Sequence, residues 1–285
     1  MMLNVFMSGK IKLGIENIFD KDVLLPFSQR RRIGVGGRSG VGHSNLSTRM
    51  FNALASYGMK ELLIAGGGDT ARKAIVTASY LIVEEYGISG IDLTINIETS
   101  GKNGLDSGTV AANTWYSIWI IYDEKTEEVA GLFSTAQVNP QLPVGFTQKR
   151  RVGWVRTDLS VYFYPRFDQR NNKVFFHDML STGAYDATVW TDVNCSTLVP
   201  KTTGQAFALL TLRKGTPADG AINIRPNGST SDGWQIGHVG YDGEASRISS
   251  VGVILPMDSS QIFEYFLKLS GNTTSIQIFG YEDQF

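Results

Sequence analysis

The stretch of this chain richest in chemical groups is QKRRVGWVR, residues 148–156. It sets Lys149, Arg150, Arg151 and Arg156 around Trp154, with Pro140 and Pro143 just upstream. Cations beside a stacking aromatic are the equipment of single-stranded nucleic-acid binding. The same residues also read as a β-strand. Period two then puts Arg150, Val152, Trp154 and Arg156 on one face, and Arg151, Gly153 and Val155 on the other. Arginine stems can pack along apolar surface while their heads stay wet. Charge balance favours the strand. Lys plus Arg number 26 against 27 Asp plus Glu, and a nucleic-acid domain usually carries a basic excess.

Other candidates for chemistry are weaker. GRSGVGHS (37–44) nearly matches the phosphate-binding loop, but His43 stands where the motif needs a lysine for the β- and γ-phosphates. A glycine-rich linker is the better reading. His43, His177 and His238 lie far apart and form no metal-ligand spacing. His177 and Asp178 are neighbours, which on a strand face opposite ways. Asp168, Asp178, Asp186 and Glu264 are available for a glycosidase pair, yet such a pair is defined by a separation in space that sequence does not carry. Cys195, the single cysteine, rules out an internal disulfide and has no nucleophile's partner nearby in sequence. No catalytic residue, cofactor site or metal site is therefore assigned.

The elements that must position these residues are mostly strands. Short apolar runs are punctuated by 31 glycines. IDLTINIET (91–99) alternates as a strand with one buried face. TWYSIWIIY (114–122) is apolar on both faces and predicts a central strand covered on both sides. A polar turn over 123–128 and the returning VAGLFST predict a hairpin. Pro140 and Pro143 predict a loop over 137–146 rather than a ladder strand. Beyond 158, runs such as VYFYPRF, KVFFHD, ATVWTDV, AFALLTLRK, AINIRP, IFEYFLKLS and SIQIFGYED continue the rhythm. They predict an all-β chain of antiparallel, jelly-roll-like β-sandwich modules. Residues 44–57 could form one short helix, capped by Ser44 or Ser47. Residues 70–87 fit helix and strand equally by period. The start lacks a basic region followed by a long apolar run, so no signal peptide is expected. Nor does any apolar run reach the length of a membrane-spanning helix.

Residues 100–158 contain Gly104-Leu105-Asp106, Thr114-Trp115-Tyr116, Leu132-Phe133-Ser134-Thr135, Leu142-Pro143, Gly145-Phe146 and Lys149-Arg150-Arg151-Val152-Gly153. This segment resembles one found in tail-fibre and related virion proteins of tailed bacteriophages and prophages. LLIAGGGDTARKA upstream and LPMDSSQIFEYFLKLSGNTTSIQIFGYED at the end resemble the same proteins more faintly. The resemblance implies that 70–87 is strand. It also implies that Trp115, Pro143, Arg150, Arg151 and Trp154 form a recurring structural motif rather than a nucleic-acid site.

On this reading, residues 1–45 are an N-terminal arm that anchors the chain to other virion proteins. Residues 46–158 form a first β-module, and 159–285 a C-terminal β-sandwich. The resemblance implies a homotrimer on the virion, made in the host cytoplasm and attaching to a bacterial surface glycan or protein. Tail fibre and head fibre both fit. No enzyme activity, nucleic-acid partner or membrane insertion is expected. A decoration or connector protein without receptor binding, and a polysaccharide depolymerase, are the alternatives.

Overall fold

A computed structural model describes residues 11–12, 58–67, 71–213, 220–239, 248–268 and 270–285. All of the arm except Ile11–Lys12, the glycine-rich 37–44 tract and the helix expected over 44–57 lie outside the described residues. Among the described residues the regular structure is all β, in sandwich-like sheets. None of their segments is a helix long and apolar enough to cross a membrane.

The chain forms two compact units. The first comprises Met1–Ile64, Lys73–Val110 and Ser117–Val152, and the second Ala65–Arg72, Ala111–Tyr116 and Gly153–Phe285. The expected module boundary at 158/159 falls within the last of these segments.

In the first unit, β1 (Ile11–Lys12) and β2 (Met59–Lys60) flank a long hairpin of β4 (Lys73–Val83) and β5 (Tyr86–Asn96). β3 (Leu63–Gly66) precedes this hairpin in the chain. Lys73–Val83 and the residues from Tyr86 on are thus strand, as the resemblance implied for 70–87, with a turn between them. Ala74, Val76, Leu81 and Val83 of β4 are buried, with Ile88, Ile91 and Ile95 of β5. A two-residue turn joins them, and Glu84 takes positive φ there, as tight hairpins require.

A second sheet runs in the order β6 (Gly104–Leu105), β8 (Glu128–Ser134), β7 (Trp115–Asp123), β9 (Gln148–Arg156). β7 and β8 make the expected antiparallel hairpin, while β6 pairs with β8 in parallel. From Tyr116 to Asp123, β7 is buried at every residue, as its two-faced apolarity predicts. Gly131 on β8 allows the close packing. A Cβ there would lie 2.2 Å from Cδ1 of the buried Ile95.

The second unit is a sandwich. One layer follows β10 (Phe167–Arg170), β11 (Lys173–Tyr185), β18 (Thr273–Asp283), β13 (Thr203–Arg213), β16 (Ile248–Pro256). The other follows β12 (Thr191–Asn194), β17 (Ile262–Leu267), β14 (Gly220–Pro226), β15 (Trp234–Val239). Val174, Ala208, Leu210, Ile276 and Ile278 are buried from the first layer, and Val193, Ile222, Ile224, Phe263 and Tyr265 from the second. Alternation of this kind gives each strand one core face and one outer face.

VYFYPRF departs from expectation. Only Phe167 of that run is in a strand, because Val161 takes positive φ and Pro165 has no N–H for a ladder. ATVWTDV likewise is strand only from Thr191.

Gly131→Ala should destabilise the protein by roughly 1–3 kcal/mol, the usual cost of overpacking a filled core. Removing the opposing atoms with Ile95→Ala should make the double variant less costly than the sum of the two singles. Denaturant melts of all three variants measure it, and strict additivity would contradict the packing argument.

Candidate functional site

β9 carries the basic cluster, and its alternation sends the side chains two ways. Arg150 points to the turn before β2 and the end of β4. Its Nη1 donates to the carbonyl oxygens of Gly58 (3.0 Å) and Ile82 (2.7 Å). The Ile82 amide donates to the same Gly58 oxygen at 2.8 Å. Burial pulls the guanidinium down to about 10, which leaves it charged at neutral pH. Gly58 must be glycine for two reasons. Its φ is +68°, and a Cβ would lie 2.9 Å from the Arg150 Nη1.

From the opposite face, Lys149 donates to Oδ1 of Asn139 at 2.9 Å, and Arg151 Nη1 donates to the Gln137 carbonyl at 3.3 Å. These two cations tie down the loop that Pro140 and Pro143 keep out of the sheet. The loop closes with a turn in which Phe146 N–H donates to the Pro143 carbonyl at 3.2 Å. Val144 at its tip is fully exposed, and Gly145 supplies the positive φ (96°). The turn drops Phe146 into a cluster with Trp119, Ile121, Ala130 and Leu132, and Leu142 packs against them. Asp106 holds the loop's other end by accepting hydrogen bonds from the Ser134 hydroxyl and, at 3.0 Å, the Gln141 amide.

The remaining motif residues belong to the second unit. Trp154 is 5% exposed, and its Nε1 donates to Thr202 Oγ1 at 2.8 Å. Thr202 in turn donates to the buried Asp283 carboxylate at the end of β18. Trp115 Nε1 donates to the Ser196 carbonyl at 3.1 Å. Thr114 pairs with Thr157, whose buried hydroxyl donates to the Ala111 carbonyl at 2.6 Å. Arg156 reaches Asn113 Oδ1 at 3.3 Å. Burial lowers the Arg156 pKa, with the Asp158 charge partly opposing that shift.

Each motif cation therefore has a protein acceptor, and for Arg150 and Arg151 the acceptors are backbone carbonyls. Chemically this arrangement straps strands and loops together. Thr202, Asp283 and Gly58 are partners that sequence reasoning missed. The glycine tracts signalled backbone freedom without saying for which contact.

The other candidates fall out differently. His177 Nε2 lies 2.9 Å from Asp168 Oδ2 across the β10–β11 pair, not against its neighbour Asp178. Glu264 pairs with Arg225. Cys195 is fully buried and its thiol is pushed up to about 12, far from a reactive thiolate. Among the described residues no group of three or more His, Cys, Asp or Glu could hold a metal ion. His43 and the phosphate-loop-like tract lie outside the described residues.

Arg150→Ala should cost roughly 2–4 kcal/mol, because it takes a charged donor from the part-buried Ile82 carbonyl and leaves the Gly58 carbonyl with the Ile82 amide alone. Arg150→Lys should recover only part, since the more strongly hydrated ammonium on its shorter stem is costlier to bury against the same two oxygens. Trp154→Ala should cost roughly 3–5 kcal/mol as a buried aromatic, and Lys149→Ala, at a half-buried surface position, should stay within about 0.5 kcal/mol. Equilibrium melts of the four variants test the ordering. An Arg150→Ala protein as stable as the parent would contradict the strap.

No protein-family model matches the chain, and no curated protein matches it. Among solved structures, a Bacillus thuringiensis Cry1Da tryptic core variant aligns at 8% identity, covering 78% of this chain and 51% of that one, with a TM-score of 0.21. The chain thus spans about half the length of that protein. Infectious bursal disease virus, Gx strain, aligns at 11% identity over 78% of this chain and 72% of that one, with a TM-score of 0.20. The VP2 subviral particle of infectious bursal disease virus gives 10%, 79%, 72% and 0.19. Overlaps this slight carry no argument about function.

Proposed function

We propose that this chain is a structural protein of a bacteriophage virion, fibre-like, whose β-modules project for attachment to the bacterial surface. One observation supports this reading above the rest. Residues that carry the tail-fibre resemblance at 104–106, 132–134, 142–146 and 149–151 are tied together within the first unit. Gly104 and Leu105 pair with Leu132 and Phe133. Asp106 grips Ser134 and Gln141, Leu142 and Phe146 share one apolar cluster, and Arg150 and Arg151 fasten the strand on either face. A motif whose every part serves a fold marks a transferable structural module rather than a chemistry. The proposed role is accordingly non-enzymatic, with no cofactor and no nucleic-acid partner.

In this reading residues 1–45 anchor the chain to other virion proteins, and the working form is a homotrimer. Exposed apolar side chains such as Phe175, Ile248 and Ile254 on the outer face of the second unit are surface that self-association would cover. Repetition around a symmetry axis would also turn weak surface contacts into avid attachment.

Immunogold labelling of purified particles tests the proposal. Label on the tail, a fibre or the capsid surface is expected, together with a trimeric mass by light scattering. Particles devoid of the chain would overturn it.

A further inference from the structure

The outer face of the β12–β17–β14–β15 sheet in the second unit carries a cluster that the β9 motif does not use. Two rows of side chains cross it. In one row Asp192 opposes Glu264, which opposes Arg225. In the next, Phe266 opposes Asn223, which opposes Gln235. Trp190 stands one residue before the paired stretch that begins at Thr191↔Tyr265, in line with Phe266. Its indole lies across the sheet. The Arg225 Cζ sits 4.1 Å from the ring centroid, and Phe266 meets it tilted, at 5.6 Å. Gly233 makes room, since a Cβ there would come within 2.6 Å of the Trp190 Cη2.

The cluster is rigid. Arg225 Nε donates to Glu264 Oε2, and its Nη1 donates to the Ser231 carbonyl at 3.0 Å. The cation is thereby neutralised and locked beneath the indole, so ligand binding would freeze little additional motion. Trp190 nevertheless remains only half-buried. Asp192 follows two residues further along the chain, Asn223 and Gln235 continue the Phe266 row across the sheet, and the side chains of all three make no hydrogen bond among the described residues. A half-buried indole with Arg225 against one side of its ring, on the same sheet face as amide and carboxylate groups without partners among the described residues, suits a ligand that is flat and apolar on one side and hydroxylated at its edge. A pyranose ring has that shape. The charge also selects. With Arg225 matched by Glu264, exposed Asp192 leaves the face negative, which disfavours anionic ligands.

We infer that this face is a binding site for a neutral saccharide, with Trp190 as the stacking platform and Asp192, Asn223 and Gln235 as hydroxyl partners. The inference rests on the attachment role proposed above and gives it a location.

The test titrates the full chain with neutral gluco-, galacto- and N-acetylglucosamine hexasaccharides, followed by indole fluorescence. Asp192→Asn, on an exposed side chain, accompanies Trp190→Ala so that a folding failure of one does not decide the result. At least one neutral sugar should bind. Both variants should weaken it, Trp190→Ala by roughly tenfold or more, and a hexuronate should bind worse. No sugar binding at all, or binding unchanged in both variants, overturns the site. Adhesion of the same proteins to bacterial cells separates the two levels. Adhesion that survives both variants leaves the attachment role standing and removes this site. Sugar binding without any cell adhesion keeps the site and removes the attachment role.

Discussion

A guanidinium drawn out of water must be met by acceptors, and much of the first unit is arranged around that need. Arg150 leaves solvent on a strand, so its charge has to be balanced where it lands. It lands on the carbonyls of Gly58 and Ile82, and the Gly58 oxygen also receives the Ile82 amide. One cation therefore fixes the turn before β2, the end of β4 and the middle of β9 together. The same need dictates glycine at 58, because any Cβ would stand against the guanidinium. Once β9 is held, Lys149 and Arg151 on its other face can restrain the 137–139 loop. That restraint brings Leu142 and Phe146 to their cluster.

Several of these elements are legible in the sequence because their signals are local. The run at 114–122 is apolar on both faces, and the structure buries it on both. The prolines of the 137–146 loop remove ladder donors, and no ladder forms. The strand character of 73–83 was not legible from period, because alternating and helical spacings coexist there. Long-range partners were not legible at all. Trp154 and Thr202 are 48 residues apart, and Thr202 and Asp283 are 81 apart. Nothing in a strand's own alternation names the residue that will stand opposite its indole. His177 shows the same limit: its neighbour Asp178 was visible, while the partner Asp168 is set by the β10–β11 register.

The site on the β12–β17–β14–β15 sheet belongs to the same class of hidden information. ATVWTDV reads as an ordinary strand, and Arg225 and Glu264 as ordinary surface charges. Only the register that sets Asp192 beside Glu264, and Glu264 beside Arg225, gathers them under Trp190. The two aromatic–cation groupings then differ in kind. Around Trp154 the indole is buried and its N–H is engaged, so the group stabilises the fold. At Trp190 the residue stays half-buried, with polar side chains nearby in the register that have no partner among the described residues, which is the condition for recognition. Composition alone treats the two alike; burial and hydrogen-bond partners separate them.

The central claim is that the cations of β9 hold the protein together and do not serve a polyanion. It is tested most directly by titrating the full chain with single-stranded DNA and RNA in a mobility-shift assay, from low to physiological salt. The account predicts no retardation at physiological salt. Tight binding that weakens steeply as salt rises, the mark of counterion release from phosphates, would contradict it.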